Sequence, residues 1–363
     1  MLLPWNVFIT ASSFFSARFS GSHSRDFQSY FSAIANSASF LFMTLLLWLR
    51  QKQKLNIDLS IPILLNALVF LFYLISVAVP IQPTPYFSIT LFSLILTGLT
   101  TSAFQLTVMG DASKLLPKYM QAVMSGQGIA GVAVALTALI TTILQDIFTP
   151  DGTAFFYFLS AFGVTLLTLL GRIVLKKLPP MEEDEIAMEQ LHQQHIEPRN
   201  LSVPDIVRRS KGNIFTVIFI YIITLSLFPS VTSQVKPTTN SAMDGDVFTS
   251  LHFLLFNMGD WIGRTLPIYP LFQIFKVNIL VSLTLARVVF VLIFAVFPIR
   301  NDVSFLVMIF IFAASNGWLT SLVFMAAPRD YQTQHDKELV GRVMSFALML
   351  GLSLGGCFSF LLI

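Results

Sequence analysis

Apolar residues fall into about eleven long runs separated by short polar connections, at 2–19, 28–49, 60–80, 86–109, 122–144, 154–174, 213–233, 247–266, 277–298, 303–325 and 340–362. Most hold the roughly 20 residues that a helix needs to cross a bilayer, which predicts a helix for each run. The longest hydrophilic stretch, 176–212, divides the runs six and five. Its first part holds the acidic Glu182-Glu183-Asp184-Glu185, its end is basic, and it reads as a solvated, partly helical linker or a regulatory or partner-binding loop.

The connections are asymmetric in charge. Arg50, Lys52 and Lys54 follow the second run, Lys114 and Lys118 the fourth, and Arg172, Lys176, Lys177, Arg199, Arg208, Arg209 and Lys211 surround the sixth connection. Lys276 follows the eighth, and Arg329, Lys337 and Arg342 the tenth, whereas the alternate connections hold only Arg18, Arg25, Lys236 and Arg300. Lys and Arg concentrate on the cytoplasmic side of membrane proteins. The expected orientation therefore has a cytoplasmic N-terminus and an extracellular or lumenal C-terminus. It suits a plasma membrane and a vacuolar or other organelle membrane equally.

Composition agrees. Hydrophobic residues make up 55% of the chain and charged residues 11%, against roughly 25% charged in soluble domains. Too few polar groups exist to cover a water-facing surface, so the chain reads as an all-α polytopic membrane protein. The net charge of +3 is small and its cations are dispersed, which argues against nucleic acid as a partner. The single Cys357 excludes an internal disulfide and a Cys-based metal site and is expected to pack as a small apolar residue. His192 and His195 lack other ligands nearby, so no metal is expected. Met1 opens directly onto an apolar run without a basic n-region, so no cleavable signal is read. The sequon at Asn200 falls on the cytoplasmic side and is expected to stay unmodified.

Chemistry concentrates in the eighth run, in Phe256-Asn257-Met258-Gly259-Asp260-Trp261-Ile262-Gly263-Arg264. A spacing of four puts Asp260 and Arg264 on one helical face within pairing distance. Ionised groups inside a membrane are costly unless they pair or line a wet cavity, and Asn257 adds a third polar group to that face. The pair reads as a polar site or as a structural ion pair. Arg287, in the middle of the ninth run, needs a carboxylate or several carbonyls, and either locks helices together or meets a substrate. Asp111 and Lys114, at the inner end of the fourth run, suit an interfacial gate or a solvated pair. His252 is either a cavity-lining proton acceptor or a polar packing residue. Gly126-Gln127-Gly128-Ile129-Ala130-Gly131 matches G-x-G-x-x-G but opens a membrane helix, so a close helix contact through small residues explains it better than a dinucleotide site. No Walker A pattern and no catalytic constellation is present, and no cofactor is implied.

Taken in order, several separated motifs resemble the equilibrative nucleoside transporter family. They are Leu2-Leu3-Pro4-Trp5-Asn6-Val7-Phe8-Ile9-Thr10-Ala11, Met124-Ser125-Gly126-Gln127-Gly128, Phe228-Pro229-Ser230-Val231-Thr232 and the Asp260–Arg264 stretch, followed by Leu285-Ala286-Arg287, Ser315-Asn316-Gly317-Trp318-Leu319 and Gly351-Leu352-Ser353-Leu354-Gly355-Gly356. The resemblance covers nearly the whole chain. It implies a 6+5 major-facilitator-like bundle, with an N-terminal bundle at 1–175, a linker at 176–212 and a C-terminal bundle at 213–363. Because Met1 sits immediately next to the first motif, the first helix is expected to be shorter than the family's.

The resemblance also implies a substrate site between the halves. Trp5 matches an aromatic that packs on the nucleoside, Gln105 a glutamine that bonds the base, and Phe228 an aromatic wall. Asp260 and Arg264 match the pair that holds the ribose, with Asn257 beside them. A guanidinium fork suits two adjacent ribose hydroxyls, and aromatics plus an amide suit a base. The expected activity is facilitative nucleoside transport by alternating access, with the nucleoside and the lipid bilayer as partners. Proton coupling, nucleobase transport and a non-transporting shortened paralogue are the alternatives. An Arg-paired Asp260 is a poor proton carrier, and His252 is the better candidate.

Overall fold

A computed structural model describes residues 7–8, 11–19, 27–52, 58–144, 149–177, 201–238, 244–296, 299 and 301–359. The regular structure of the described residues is helical, with no strand among them. The helices are α1 (Ser12–Arg18), α2 (Phe27–Lys52), α3 (Ser60–Ser76), α4 (Pro83–Lys114), α5 (Pro117–Ile143), α6 (Pro150–Lys177), α7 (Val203–Arg209), α8 (Lys211–Leu227), α9 (Gly245–Thr265), α10 (Val277–Ala286), α11 (Val288–Val291), α12 (Asp302–Ala326) and α13 (Gln334–Ser359). Proline opens α4, α5 and α6, where its missing N–H costs nothing and its fixed φ starts the turn. Asn301 caps α12, its side-chain oxygen accepting from Ser304 N at 2.9 Å.

Seven of the helical segments among the described residues are long and apolar enough to cross a membrane by length and composition. α9, which carries the Asp–Arg pair, is not one of them. Large apolar side chains point outward along these helices: Leu41, Phe92, Leu167 and Val303 are 65%, 65%, 68% and 66% exposed. Such faces suit lipid and not water. Hydroxyls in the spans bond back onto their own helix, as Thr90 does to Tyr86 O at 2.8 Å and Thr165 to Ala161 O at 2.7 Å. That satisfies them where no water is at hand. The chain is an integral, multi-pass membrane protein.

Two compact units emerge, each drawn from three stretches of chain. The first takes Met1–Gln105, Ile129–Ile173 and Thr239–Asn257. Its core is aromatic: Phe8, Phe14, Phe15, Phe19, Phe31, Tyr73, Tyr86 and Phe158 are all buried. Phe8 meets Tyr73 edge-on at 5.1 Å and Tyr73 stacks on Phe158 at 5.2 Å, the geometries that ring quadrupoles favour. Arg18 ends α1 by donating to the carbonyls of Val79 and Val77 at 2.9 and 2.6 Å, which satisfies the end of the α3 segment.

The second unit takes Leu106–Gly128, Val174–Thr238 and Met258–Ile363. α9 and α12 approach so closely here that a Cβ on Gly263 would run into the Ala314 carbonyl, and one on Gly317 into the Asp260 carbonyl. α4 and α13 cross at Gly341, beside Ser113 and the Met109 carbonyl. The helix contact read from the glycine run is present in two places. Gly128 abuts Trp261 in this unit and Gly131 abuts Asn257 in the first, while Gly126 faces open space. α7 makes the connection helical before α8; Asp205 accepts from Ser202 N and Oγ at 3.2 and 2.6 Å. Its buried face continues to Ser210, whose hydroxyl bonds Tyr331 at 2.8 Å.

One expectation is refined and one corrected. The ninth run holds as a span, Val277–Val296, but its winding changes at Arg287, where N–H bonds reach back only three residues (Arg287 N to Thr284 O, 3.2 Å; Phe290 N to Arg287 O, 3.0 Å), and Leu292–Val296 continues as a π-turn. Hydropathy carries no record of that local change in winding. Cys357 is exposed and not packed, because an apolar membrane helix also turns apolar residues outward. Trp5, His192, His195, Asn200 and the acidic run at 182–185 lie outside the described residues.

Candidate functional site

The second unit holds a buried polar network built from α5, α8, α9, α12 and the break between α10 and α11. α9 supplies Asp260 and Arg264, one turn apart, and Arg264 Nε donates to Asp260 Oδ2 at 2.6 Å. Both are buried, Arg264 to 1% exposure. The rest of the guanidinium is occupied as well. Nη1 reaches Gln127 Oε1 at 3.4 Å and Met124 Sδ at 3.8 Å, and Nη2 donates to the Tyr221 hydroxyl at 3.2 Å. The 2.6 Å bond joins two opposite charges and is the strongest, whereas the others join the guanidinium to neutral acceptors.

The second oxygen of Asp260 is taken by α12. Asn316 Nδ2 donates to Asp260 Oδ1 at 2.7 Å. The close packing of Gly317 against the Asp260 carbonyl brings that amide within reach. The carboxylate thus accepts one bond at each oxygen, from different helices.

Arg287 enters from the break between α10 and α11. It donates to Ser315 Oγ at 3.1 Å, the Ile220 carbonyl at 3.2 Å, Thr224 Oγ1 at 3.0 Å, Asn316 Oδ1 at 3.5 Å and the Phe312 carbonyl at 3.4 Å, and lies over the Phe312 ring at 5.0 Å. Among the described residues no carboxylate lies within ion-pair distance of it. Carbonyls and hydroxyls solvate it instead, and they tie α8 to α12. The network carries two guanidiniums and one carboxylate, a buried excess of one positive charge.

The backbone around the pair is equally committed. Gln121 Nε2 and Ser321 Oγ both donate to the Arg264 carbonyl, at 3.2 and 3.1 Å. Trp261 Nε1 donates to Ser125 at 3.2 Å, and Ser125 bonds Thr265 at 2.8 Å. α9 is therefore pinned to α5 and α12 around the charged pair, which fixes its rotation.

The other expected site residues fall as follows. Phe228 ends α8 in extended conformation, half-buried, with a cis bond to Pro229. Gln105 is buried on α4 and belongs to the first unit, as does Asn257. Asn257 commits its amide nitrogen to its own helix, at the Phe253 carbonyl 2.9 Å away, and its oxygen sits against Gly131. Lys114 pairs with Asp111 at 2.8 Å and with Glu338 at 3.4 Å, and Glu338 in turn pairs with Arg342. These four charges sit at the crossing of α4 and α13 and are partly exposed. His252 is buried against Phe253, ring centroids 5.2 Å apart.

The family profile described as "Nucleoside transporter" matches residues 91–363. The chain belongs to the nucleoside transporter family. It is 28% identical to Equilibrative nucleoside transporter 2 of Rattus norvegicus and 29% identical to Equilibrative nucleoside transporter 1 of Homo sapiens, each alignment covering 99% of this chain and 93% of the relative. It is 27% identical to Equilibrative nucleotide transporter 1 of Arabidopsis thaliana, over 98% of this chain and 81% of that one.

In this member of the nucleoside transporter family, spacing alone exposed Asp260 and Arg264. It left Tyr221, Gln127, Thr224 and Asn316 unassigned. Each is an uncharged polar residue in an apolar run, and Gln127 and Asn316 also fall within motifs that carry the family resemblance. That polarity was the available signal, but only packing says which of many Thr, Tyr and Asn residues meet a charge.

Proposed function

We propose that this protein moves nucleosides across a membrane down their gradient, by alternating access around a site that includes Asp260 and Arg264. The observation that carries the reading is the 2.6 Å carboxylate–guanidinium bond buried among apolar helices of a nucleoside transporter family member. Buried ion pairs contribute little net stability, and removing one partner costs about 3–5 kcal/mol. A pair held at such risk suits a function better than a packing need.

The chemistry follows from the strengths of the contacts. The bonds from Arg264 to Gln127 and Tyr221 have neutral acceptors that a substrate hydroxyl can replace, whereas the one to Asp260 joins opposite charges. A ribose offering two adjacent hydroxyls takes the place of the weaker partners, while Asp260 keeps the fork aligned. Trp5, Gln105 and Phe228 supply the base contacts, and Asn257 stands beside the ribose. The excess positive charge disfavours organic cations as substrates.

The bundle is proposed as eleven helices, six in 1–175 and five in 213–363, joined by the linker 176–212. The two bundles rock to open the site to each side in turn. Asp111 and Lys114, with Glu338 and Arg342, act as a gate that breaks and reforms as α4 and α13 separate. Arg287 holds the second bundle's helices in register. The N-terminus is cytoplasmic and the C-terminus extracellular or lumenal, in a plasma or organelle membrane.

Purified chain in proteoliposomes, given labelled uridine or adenosine, tests the reading. Saturable uptake above empty vesicles is expected, and its loss in Arg264→Ala. Vesicles that take up no more than empty ones would leave a non-transporting paralogue as the better account.

A further inference from the structure

Asp260 has two equivalent oxygens, and the plane in which its carboxylate lies decides where the guanidinium fork points. α12 fixes that plane through one uncharged side chain. Asn316 is 3% exposed and its amide is used at both ends. The nitrogen donates to Asp260 Oδ1 at 2.7 Å, and the oxygen accepts from Thr224 Oγ1 at 2.7 Å and from Arg287 Nη1 at 3.5 Å. Turning the amide over would set its oxygen against a carboxylate oxygen and its NH2 against a guanidinium, which is unfavourable at both ends. One orientation is therefore enforced.

We propose that Asn316 is a positioning residue for the substrate site: it occupies one carboxylate oxygen of Asp260, which fixes the plane in which the other serves Arg264, and it links that geometry to Arg287, which touches neither Asp260 nor Arg264 by hydrogen bond. This rests on the reading of Asp260 and Arg264 as the ribose clamp. It gives the unpaired positive charge of Arg287 a role at the site, because the guanidinium favours the amide polarity that Asp260 requires. It also explains why an asparagine is needed on α12. An aspartate there would set two carboxylates against each other, and an alanine would leave the second oxygen of Asp260 without its partner.

The test uses the full-length chain in proteoliposomes and measures the uridine KM together with the ratio of inhibition by uridine to that by 2′,3′-dideoxyuridine. Asn316→Asp is expected to raise KM about tenfold, the effect of one lost charge-assisted hydrogen bond, and to bring the ratio toward one. The exchange Asp260→Asn with Asn316→Asp restores an amide–carboxylate bond but moves the charge to Arg287. It is expected to recover melting temperature without recovering the ratio. Thr224→Val, a change of nearly the same shape, removes the shorter of the two bonds to the amide oxygen and is expected to raise KM severalfold; it serves where Asn316→Asp does not yield folded protein. A folded Asn316→Asp or Thr224→Val with wild-type KM and ratio, and only a lower melting temperature, overturns the proposal and makes Asn316 a packing residue. Arg264→Lys, whose remaining uptake still reports the ratio, separates the two failures. If it loses the ratio while the Asn316 variant keeps it, only the positioning role fails; if it keeps the ratio, the clamp reading falls.

Discussion

Arg264 and Asp260 lie one helical turn apart on α9 and bond at 2.6 Å through Nε and Oδ2, which leaves both Nη groups of the guanidinium aimed at neighbouring helices. The terminal nitrogens hold uncharged partners, Gln127, Met124 and Tyr221. Arg264→Lys keeps the charge but replaces a planar fork with a point donor. It should fold, and should lose most uridine uptake through a raised KM. Initial-rate uptake checks this; wild-type kinetics in the lysine variant would mean that charge alone suffices.

Discrimination against substrates that lack ribose hydroxyls follows from the same geometry. A deoxy analogue leaves a buried donor without its partner, at about 1.5–3 kcal/mol for a bond to a charged group. Competition against labelled uridine should show 2′,3′-dideoxyuridine weaker by at least about tenfold. Equal potency would place the recognition on the base alone.

Gly317 sits where a Cβ would meet the Asp260 carbonyl oxygen and the Arg264 nitrogen. Both neighbours are helix backbone, so relief requires α9 and α12 to part. Gly317→Ala should cost about 1–3 kcal/mol and lower the melting temperature of detergent-purified protein. An unchanged melt would mean that the two helices separate freely.

The charges at the α4–α13 crossing behave differently from the buried pair. Glu338 is 25% exposed and Lys114 31%, and exposed pairs contribute about 0–1 kcal/mol. Glu338→Gln should therefore leave the melting temperature nearly unchanged while altering maximal uptake rate. A large drop in melting temperature with normal uptake would make the cluster a structural clasp and remove it from the gate.

Facilitative transport needs no proton. The network holds one carboxylate among the described residues, and both of its oxygens already accept a hydrogen bond. Uridine uptake should be the same with and without a protonophore at unequal pH. Uptake that falls when the gradient collapses would turn attention to His252.

Much of this was legible before any coordinates. Apolar runs located the helices, and the four-residue spacing of Asp260 and Arg264 predicted their contact. The glycines of 126–131 announced a close approach, found at Gly128 and Gly131 but not at Gly126. What sequence could not give was partnership across helices. Asn316 is one asparagine among apolar neighbours until the packing of Gly317 brings it to Asp260. Asn257 shares a face with Asp260 by spacing, yet its amide nitrogen bonds its own helix. The break at Arg287 is equally silent, because a change in helical winding alters no residue's hydropathy.

The most direct test of the ribose clamp is the inhibition ratio of uridine to 2′,3′-dideoxyuridine, measured in the wild-type chain and in Arg264→Lys. The account predicts a ratio of about ten or more in the wild type that falls toward one in the variant, with the base still recognised. A ratio that is the same in both proteins would contradict it.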